Sequence, residues 1–546
     1  STGLRGSEYY KGPDFDNGLG SYGVNKSSGN FDSAVVLANA YFDLGTWYGI
    51  TPFIGGGVGY ASFLLGATDS INRGVVDGRT GRRNSEWGAY VQDDFKVTRN
   101  LSLSYGVRYE IYQPWFEVAD RMSALDLETG RVILAGAGNK FGRGLRKTDK
   151  NNFAPRLGVA WNTGGKAKLV VRGGYGLSYV EEFGGNGTNP IQNPPGSTTQ
   201  QLIYSTTLAP AVRFSQGIPL PQPVNVANPS GQYRQIAYGA VSAYAQTWDL
   251  SLQREFGQGW LVDAAYVGAK GTHLLEITDP NQATPGAGAI PPRRPLFALA
   301  PNVTVAVGDS VGNSIYHSFQ LKVQKRFTKG FYVLGSYTNS KVIGSVDSNF
   351  SNAVPGVASL GQAQNAFNRK ADRSLSDTDV PQRLVVSYGW ELPIFKQHKL
   401  LGGWQVSGIT TMSAGNPFDI LNNPSTLNNG GTQRPDRVAD GRLSNWTLER
   451  YFDVAAFRSP APFVFGNAGR NILRGPGLHT WDVSLLKDTH FGERLRLQWR
   501  TDFFNAANSP QFNSPGNTIG TPQAGVISST RFATNRQIQF VLKMFF

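Results

Sequence analysis

Hydrophobic and polar residues alternate along most of this chain. Between Leu101 and Ile111 the odd positions hold Leu101, Leu103, Tyr105, Val107, Tyr109 and Ile111. The even positions hold Ser102, Ser104, Gly106, Arg108 and Glu110. Successive side chains of a strand point to opposite faces, so this pattern predicts a strand with one apolar and one polar face, which a helix cannot produce. Over 494–503, Leu495, Leu497, Trp499 and Phe503 likewise alternate with Arg494, Arg496, Gln498, Arg500 and Asp502. Further alternating segments lie near 86–96, 152–161, 168–180, 245–256, 260–268, 315–327, 331–338, 383–392, 403–412 and 480–487, and the last runs from Arg536 to Phe546. Thirteen strands are predicted from residue 86 onward, with two or three more upstream.

The connections between these segments have their own rhythm. Short ones at 97–100, 162–167, 257–259, 328–330, 393–402 and 488–493 interleave with long ones at 113–151, 181–244, 269–314, 339–382, 413–479 and 505–535. Long loops are uncommon in compact domains. They are expected at one end of a transmembrane β-barrel, with short turns at the other. The predicted fold is therefore all-β, a transmembrane antiparallel β-barrel. Its apolar strand faces should meet lipid and its polar faces a watery or plugged lumen, and the sheet must close because lipid leaves no solvent for an open edge.

Composition fits. The 546 residues include 66 Gly and 30 Pro, which suit turns and loops, and only 40% are hydrophobic, as strands with one polar face require. No run reaches the roughly 18–20 apolar residues of a spanning helix. Trp87, Tyr109, Trp161, Tyr179, Trp260, Trp390, Trp404 and Trp481 fall near predicted strand ends, where aromatic girdles form. The net charge is +14, but the basic residues are scattered, without a basic helix or an aromatic RNA-binding motif, so nucleic acid is not an expected partner. Arg108, Arg172, Arg494, Arg496 and Arg500 fall on predicted polar faces and are the candidate lumen-facing basic residues, which would favour anionic cargo.

Candidate chemistry is sparse. The chain has no cysteine, so it has neither disulfides nor thiolate sites. Its five histidines, His273, His317, His398, His479 and His490, form no HExxH pair. Gly55–Gly59 is glycine-rich but lacks a GxGxxG fingerprint. Asp372, Asp377 and Asp379 form an acidic cluster without EF-hand spacing, better read as a solvated loop than as a calcium site. No GxSxG elbow occurs. No enzyme activity, metal or cofactor is expected. The loops 181–244 and 413–479 are rich in Asn, Gln, Pro and aromatics and are read as solvated.

The C-terminus carries the sharpest local feature. Ile538, Phe540, Leu542, Met544 and the terminal Phe546 alternate with Gln537, Gln539, Val541, Lys543 and Phe545. This resembles the assembly signal of outer-membrane barrels and implies recognition by the barrel-assembly machinery. It also implies a periplasmic C-terminus, with the short turns periplasmic and the long loops extracellular.

An ordered set of stretches resembles the Oar-like, carboxypeptidase-regulatory-domain type of TonB-dependent outer-membrane receptor. They are Glu86–Thr98, Leu101–Glu110, Asn152–Trp161, Ala265–His273, Val323–Phe327, Tyr337–Lys341, Gly402–Gly408, Gly469–Gly477, Trp481–Leu485 and Phe503–Asn505. The resemblance implies a 22-stranded barrel, a plug, and TonB-driven import of a scarce nutrient such as a siderophore, oligosaccharide or peptide. It also implies an outer-membrane setting of lipid and lipopolysaccharide. The family's regulatory domain, TonB box and plug are not recognisable here, and 13–16 visible strands fall short of 22, so the chain is expected to be the C-terminal barrel portion of a longer protein. A passive porin and a surface structural or adhesion barrel are the alternatives. Ala38–Tyr60 instead resembles small alphaproteobacterial outer-membrane barrels, so residues 1–62 are expected to differ in origin from the barrel of 63–546.

Overall fold

The alternating segments pair into one antiparallel meander. The computed structural model describes residues 80–164, 169–180, 189–203, 226, 228–345, 363–395, 398, 401–492, 495–532 and 534–546, and the backbone of strands at 26–28, 36–43, 53–60 and 70–76. The main sheet contains β1 (Glu86–Lys96), β2 (Leu101–Tyr112), β3 (Asn152–Asn162), β4 (Leu169–Val180), β5 (Ala243–Phe256), β6 (Trp260–Thr278) and β7 (Asn302–Thr328). It continues through β8 (Phe331–Gly344), β9 (Gln382–Glu391), β10 (Trp404–Ser413), β11 (Leu478–Phe491), β12 (Leu495–Phe504) and β13 (Gln537–Phe545). Each strand pairs with the next in sequence, and among the described residues the path ends at β1 and β13 without closing. All thirteen predicted strands are present in order.

The register keeps two faces distinct, because residues directly opposite each other share a face. On one face Leu157 lies opposite Tyr175 and Tyr175 opposite Trp248, and farther along Thr501 lies opposite Phe540 and Trp499 opposite Leu542. Val91, Leu157, Leu250, Phe540 and Leu542 on this face are all exposed. An apolar face of this extent is untenable in water and needs an apolar medium. Aromatic residues mark both ends of it. Trp161, Phe256, Trp260, Trp390 and Trp404 flank short turns, whereas Trp87, Tyr109, Phe153, Tyr179 and Tyr244 flank long connections. The Tyr109 and Phe153 rings lie 4.6 Å apart, and those of Trp404 and Trp499 5.9 Å apart. Glycine is needed where an aromatic ring lies across the neighbouring strand: a Cβ on Gly268 would sit 2.2 Å from the indole of Trp248, its register partner.

One hairpin departs from expectation. β6 and β7 pair well beyond the alternating segments, to Thr278 and Val307, so the connection shrinks from 269–314 to 279–301. Outside the apolar band both faces of the hairpin are mixed. Periodicity breaks between Gly308 and Asn313 while backbone pairing continues through irregularities near Leu274, and beyond the break Val303, Val305 and Val307 are buried.

The chain divides into two compact units. The meander and most connections form one. The other comprises 1–83, 116–145 and 189–234. Within it the strand Ser70–Val76 pairs with both Lys26–Ser28 and Ser197–Ile203, and Val36–Asp43 pairs with Phe53–Tyr60. No helix among the described residues is long and apolar enough to cross a membrane.

Candidate functional site

Two places in the larger unit have functional potential: the polar face of the sheet and the layer of long connections at one end of it.

The register carries the polar face from strand to strand. Arg108 lies opposite Ala154, Arg172 opposite Ala160 and Ser251, and Arg500 opposite Leu486 and Val541. Arg496 shares this face, stacking 4.1 Å above the Phe545 ring, and Arg494 lies outside the described residues. The face is mixed in sign. Arg108 contacts Glu110 at 2.5 Å, Arg500 contacts Asp502 at 2.9 Å, and Arg172 donates to the side-chain oxygen of Gln253 at 2.6 Å. Sequence reading singled out the arginines but not these acceptors, two of which lie only two residues from their arginine.

The C-terminal residues Ile538, Phe540, Leu542 and Met544 occupy the apolar face of β13, all exposed, and Phe546 follows the strand end. By register Ile538 lies opposite Phe503 and Met544 opposite Leu497.

The stretch 413–479 is folded, contrary to its reading as solvated, whereas much of 181–244 lies outside the described residues. Phe418, Ile420, Phe452, Ala456, Phe457 and Leu473 from the connection 414–477 form a hydrophobic core with Ile519 from 505–536. Fully burying Phe418 and Phe452 contributes roughly 1.5–3 kcal/mol each. The amides that suggested solvation satisfy irregular backbone instead, since Asn and Gln carry both donors and acceptors. Gln433 accepts from the Thr426 N–H at 2.8 Å and donates to the Val464 carbonyl at 2.8 Å.

The acidic cluster is buried rather than solvated. Asp372 pairs with Arg434 and Asp379 with Arg474. Nearby, the buried Asp419 accepts from the Asn471 N–H at 2.7 Å, and burial pushes its carboxyl above the ordinary range against the pull of Arg470. Among the described residues no group of three or more His, Cys, Asp or Glu could hold a metal ion.

Polar clamps tie the connections together. Gln282 accepts from the Ala366 N–H at 2.9 Å and donates to the Gln364 carbonyl at 3.2 Å. Gln364 in turn accepts from the Arg434 N–H. Arg293 donates to the carbonyls of Thr284 and Asn428, and Asn428 donates back to those of Gly286 and Gly288 at 2.8 and 2.9 Å. The turn at Asn428–Gly431 needs positive φ at Asn428 and Gly430, which Asn and Gly tolerate best.

These clamps surround a cavity of about 120 Å³. It is lined by Thr278, Asp279, Gln282 and Arg294 from one hairpin tip, Ala363 and Ala366 from a second connection, and Asn429 and Gly431 from a third. Asp279 opens a turn whose next residue is Pro280. Its carbonyl accepts from the Gln282 N–H at 3.0 Å and its carboxylate from the Asn281 N–H at 2.9 Å. Burial pushes the Asp279 carboxyl up, opposed by that N–H and by Arg294. No sequence motif signals this cavity, because its walls come from three separate connections.

A family profile described as "Outer membrane beta barrel domain" matches residues 17–539. Among curated proteins none matches. Among solved structures the chain is similar to the outer membrane transporter YddB from Escherichia coli, at 11% identity and TM-score 0.43 over 96% of this chain and 50% of that one. It is similar to the ferripyoverdine receptor of the outer membrane of Pseudomonas aeruginosa, at 9% identity and TM-score 0.41 over 96% and 49% of the two chains. It is also similar to the siderophore receptor PirA of the same organism, at 10% identity and TM-score 0.37 over 95% and 59%. The chain thus spans about half the length of the first two structures.

Proposed function

The chain belongs to the outer membrane beta-barrel family, and from that premise we propose that it is the barrel portion of a TonB-dependent transporter. In this reading the connections above the long-loop end capture a scarce nutrient of the siderophore, oligosaccharide or peptide class. The nutrient then passes along the polar face when a plug, supplied elsewhere in the protein, is displaced through the TonB complex. The ordered set of sequence stretches supports the family type. The observation that carries capture is the loop layer, with its own hydrophobic core, interlocking clamps and enclosed cavity. A passive pore needs a polar lining but no such layer.

The reading includes an orientation: C-terminus periplasmic, long connections outside, β13 read by the barrel-assembly machinery through Ile538, Phe540, Leu542, Met544 and Phe546, and lipopolysaccharide around the outer rim. Residues 1–62 are proposed to differ in origin from 63–546. Arg108, Arg172, Arg496 and Arg500 are proposed to face the lumen, with Arg494 as a fifth.

The test is uptake by cells carrying the full gene, with and without an intact TonB system, beside conductance in planar bilayers. Energy-dependent uptake with low basal conductance supports the reading. Uptake that survives loss of TonB, together with constitutive conductance, replaces it with a porin. Normal uptake with lost cell–cell contact in a deletion strain replaces it with an adhesion role. An upstream reading frame without a plug or TonB box counts against it.

A further inference from the structure

Asp279 and Arg294 line the same cavity without pairing with each other. The described ion pairs join neither of them to any partner. Arg294 donates to the Val303 carbonyl at 3.3 Å, and Asp279 takes the Asn281 N–H on one oxygen. Asn429, 5% exposed, lines the same cavity, and its side-chain amide nitrogen is buried and has no hydrogen-bond partner. A buried donor left unmet costs roughly 1–3 kcal/mol, so its presence points to an acceptor that arrives from outside.

We infer that this cavity binds a free α-amino acid, with its ammonium against Asp279 and its carboxylate between Arg294 and the Asn429 amide. The charges select this class. A phosphate or other simple anion would meet Asp279, and a metal cation would meet Arg294. A neutral sugar would leave both charges without a direct ion pair. Burial already disfavours the Asp279 carboxylate in the empty cavity, and an ammonium would relieve it.

Size narrows the choice. The cavity offers about 120 Å³. Drug-sized ligands occupy roughly 300–1,000 Å³, so a whole siderophore or oligosaccharide does not fit. Ala283, Ala363 and Ala366 in the wall leave room for a small side chain. Glycine, alanine and serine are the amino acids of the right size. The inference goes beyond the transport reading, whose cargo classes do not include a free amino acid, and rests on that reading only for calling the ligand cargo.

The experiment is calorimetric titration of the full chain in detergent with glycine, L-alanine and L-serine. Saturable binding of one molecule per chain is expected. N-Acetylglycine, which lacks the ammonium, and glycinamide, which lacks the carboxylate, should bind at least tenfold more weakly. Asp279→Asn keeps an acceptor for the Asn281 N–H, and Arg294→Gln keeps a donor. Each should weaken glycine binding at least tenfold while retaining the heat-modifiable electrophoretic mobility of a folded barrel. Absence of binding by the unmodified protein overturns the inference. So does equal binding of N-acetylglycine, or unchanged affinity in both variants. Binding without cellular uptake would keep the site and remove only the claim that the amino acid is cargo, and energy-dependent uptake without binding would remove the site.

Discussion

Arg434 and Asp372 show how far a single residue's setting can depart from its local sequence. Asp372, Asp377 and Asp379 look solvated in the chain because they share a polar stretch with Arg369, Lys370 and Arg373. The partners of Asp372 and Asp379, Arg434 and Arg474, lie 62 and 95 positions away. Removing one member of a buried pair strands the other charge and costs about 3–5 kcal/mol, more than replacing both by apolar groups. Arg434→Leu should therefore speed proteolysis of the 414–477 connection in detergent, and adding Asp372→Leu should restore much of the resistance. A double variant no better than the single would mean that the pair is not coupled. Glu117 presents the opposite case in the smaller unit. Burial disfavours its charge, but the N–H groups of Arg121, Gly81 and Ala119 donate to it at 3.1, 3.2 and 2.8 Å and hold its carboxyl below the ordinary range. Because the folded value is depressed, its stabilisation is present above the unfolded value and is lost as pH falls through the folded one. Hydrogen exchange at Gly81, Ala119 and Arg121, corrected for intrinsic rates, should accelerate on acidification, and Glu117→Gln should remove that acceleration.

Strands were the most legible elements, since period-two alternation survives wherever one face meets an apolar medium and the other does not. Where that contrast breaks, as between Gly308 and Asn313 in the β6–β7 hairpin, the signal breaks with it although pairing does not. The loop layer was illegible for another reason: its contacts join separate connections, and its amides pair with backbone that no local pattern marks. β13 provides the test of faces. Leu542 lies on the apolar face and Gln539 on the polar one. Leu542→Arg should cost about 2–4 kcal/mol if its position lies near the bilayer midplane, measured by urea-dependent folding into lipid vesicles, whereas Gln539→Arg should change little. Equal penalties would reverse the facing of the strand. Deleting Phe546 should lower the yield of assembled protein in cells while leaving spontaneous folding into vesicles intact. Loss of both would make it a structural residue rather than a signal.

For the whole molecule, the sheet has two margins, β1 and β13, each with one neighbour among the described residues. The family profile runs continuously from 17 to 539, across the proposed boundary near 62. Mass spectrometry of the native protein checks that boundary: a separate origin through misassembly or sequence assignment predicts no peptide spanning 55–75, and recovery of one removes the idea. The β6–β7 hairpin has a further consequence. β7 is 27 residues long, and its first thirteen, 302–314, precede the alternating band. At ~3.4 Å per residue and a tilt of ~45°, they rise about 30 Å above it. The cavity at Asp279 and Arg294 sits at the tip of this hairpin, near Thr278 and Thr304. In the proposed transporter, a ligand held there would wait at a first-contact station about 30 Å beyond the alternating band. Capture and entry are then separate events with separate rates, and a tightly held ligand would slow its own delivery. Intermediate rather than maximal affinity at the tip would give the fastest flux.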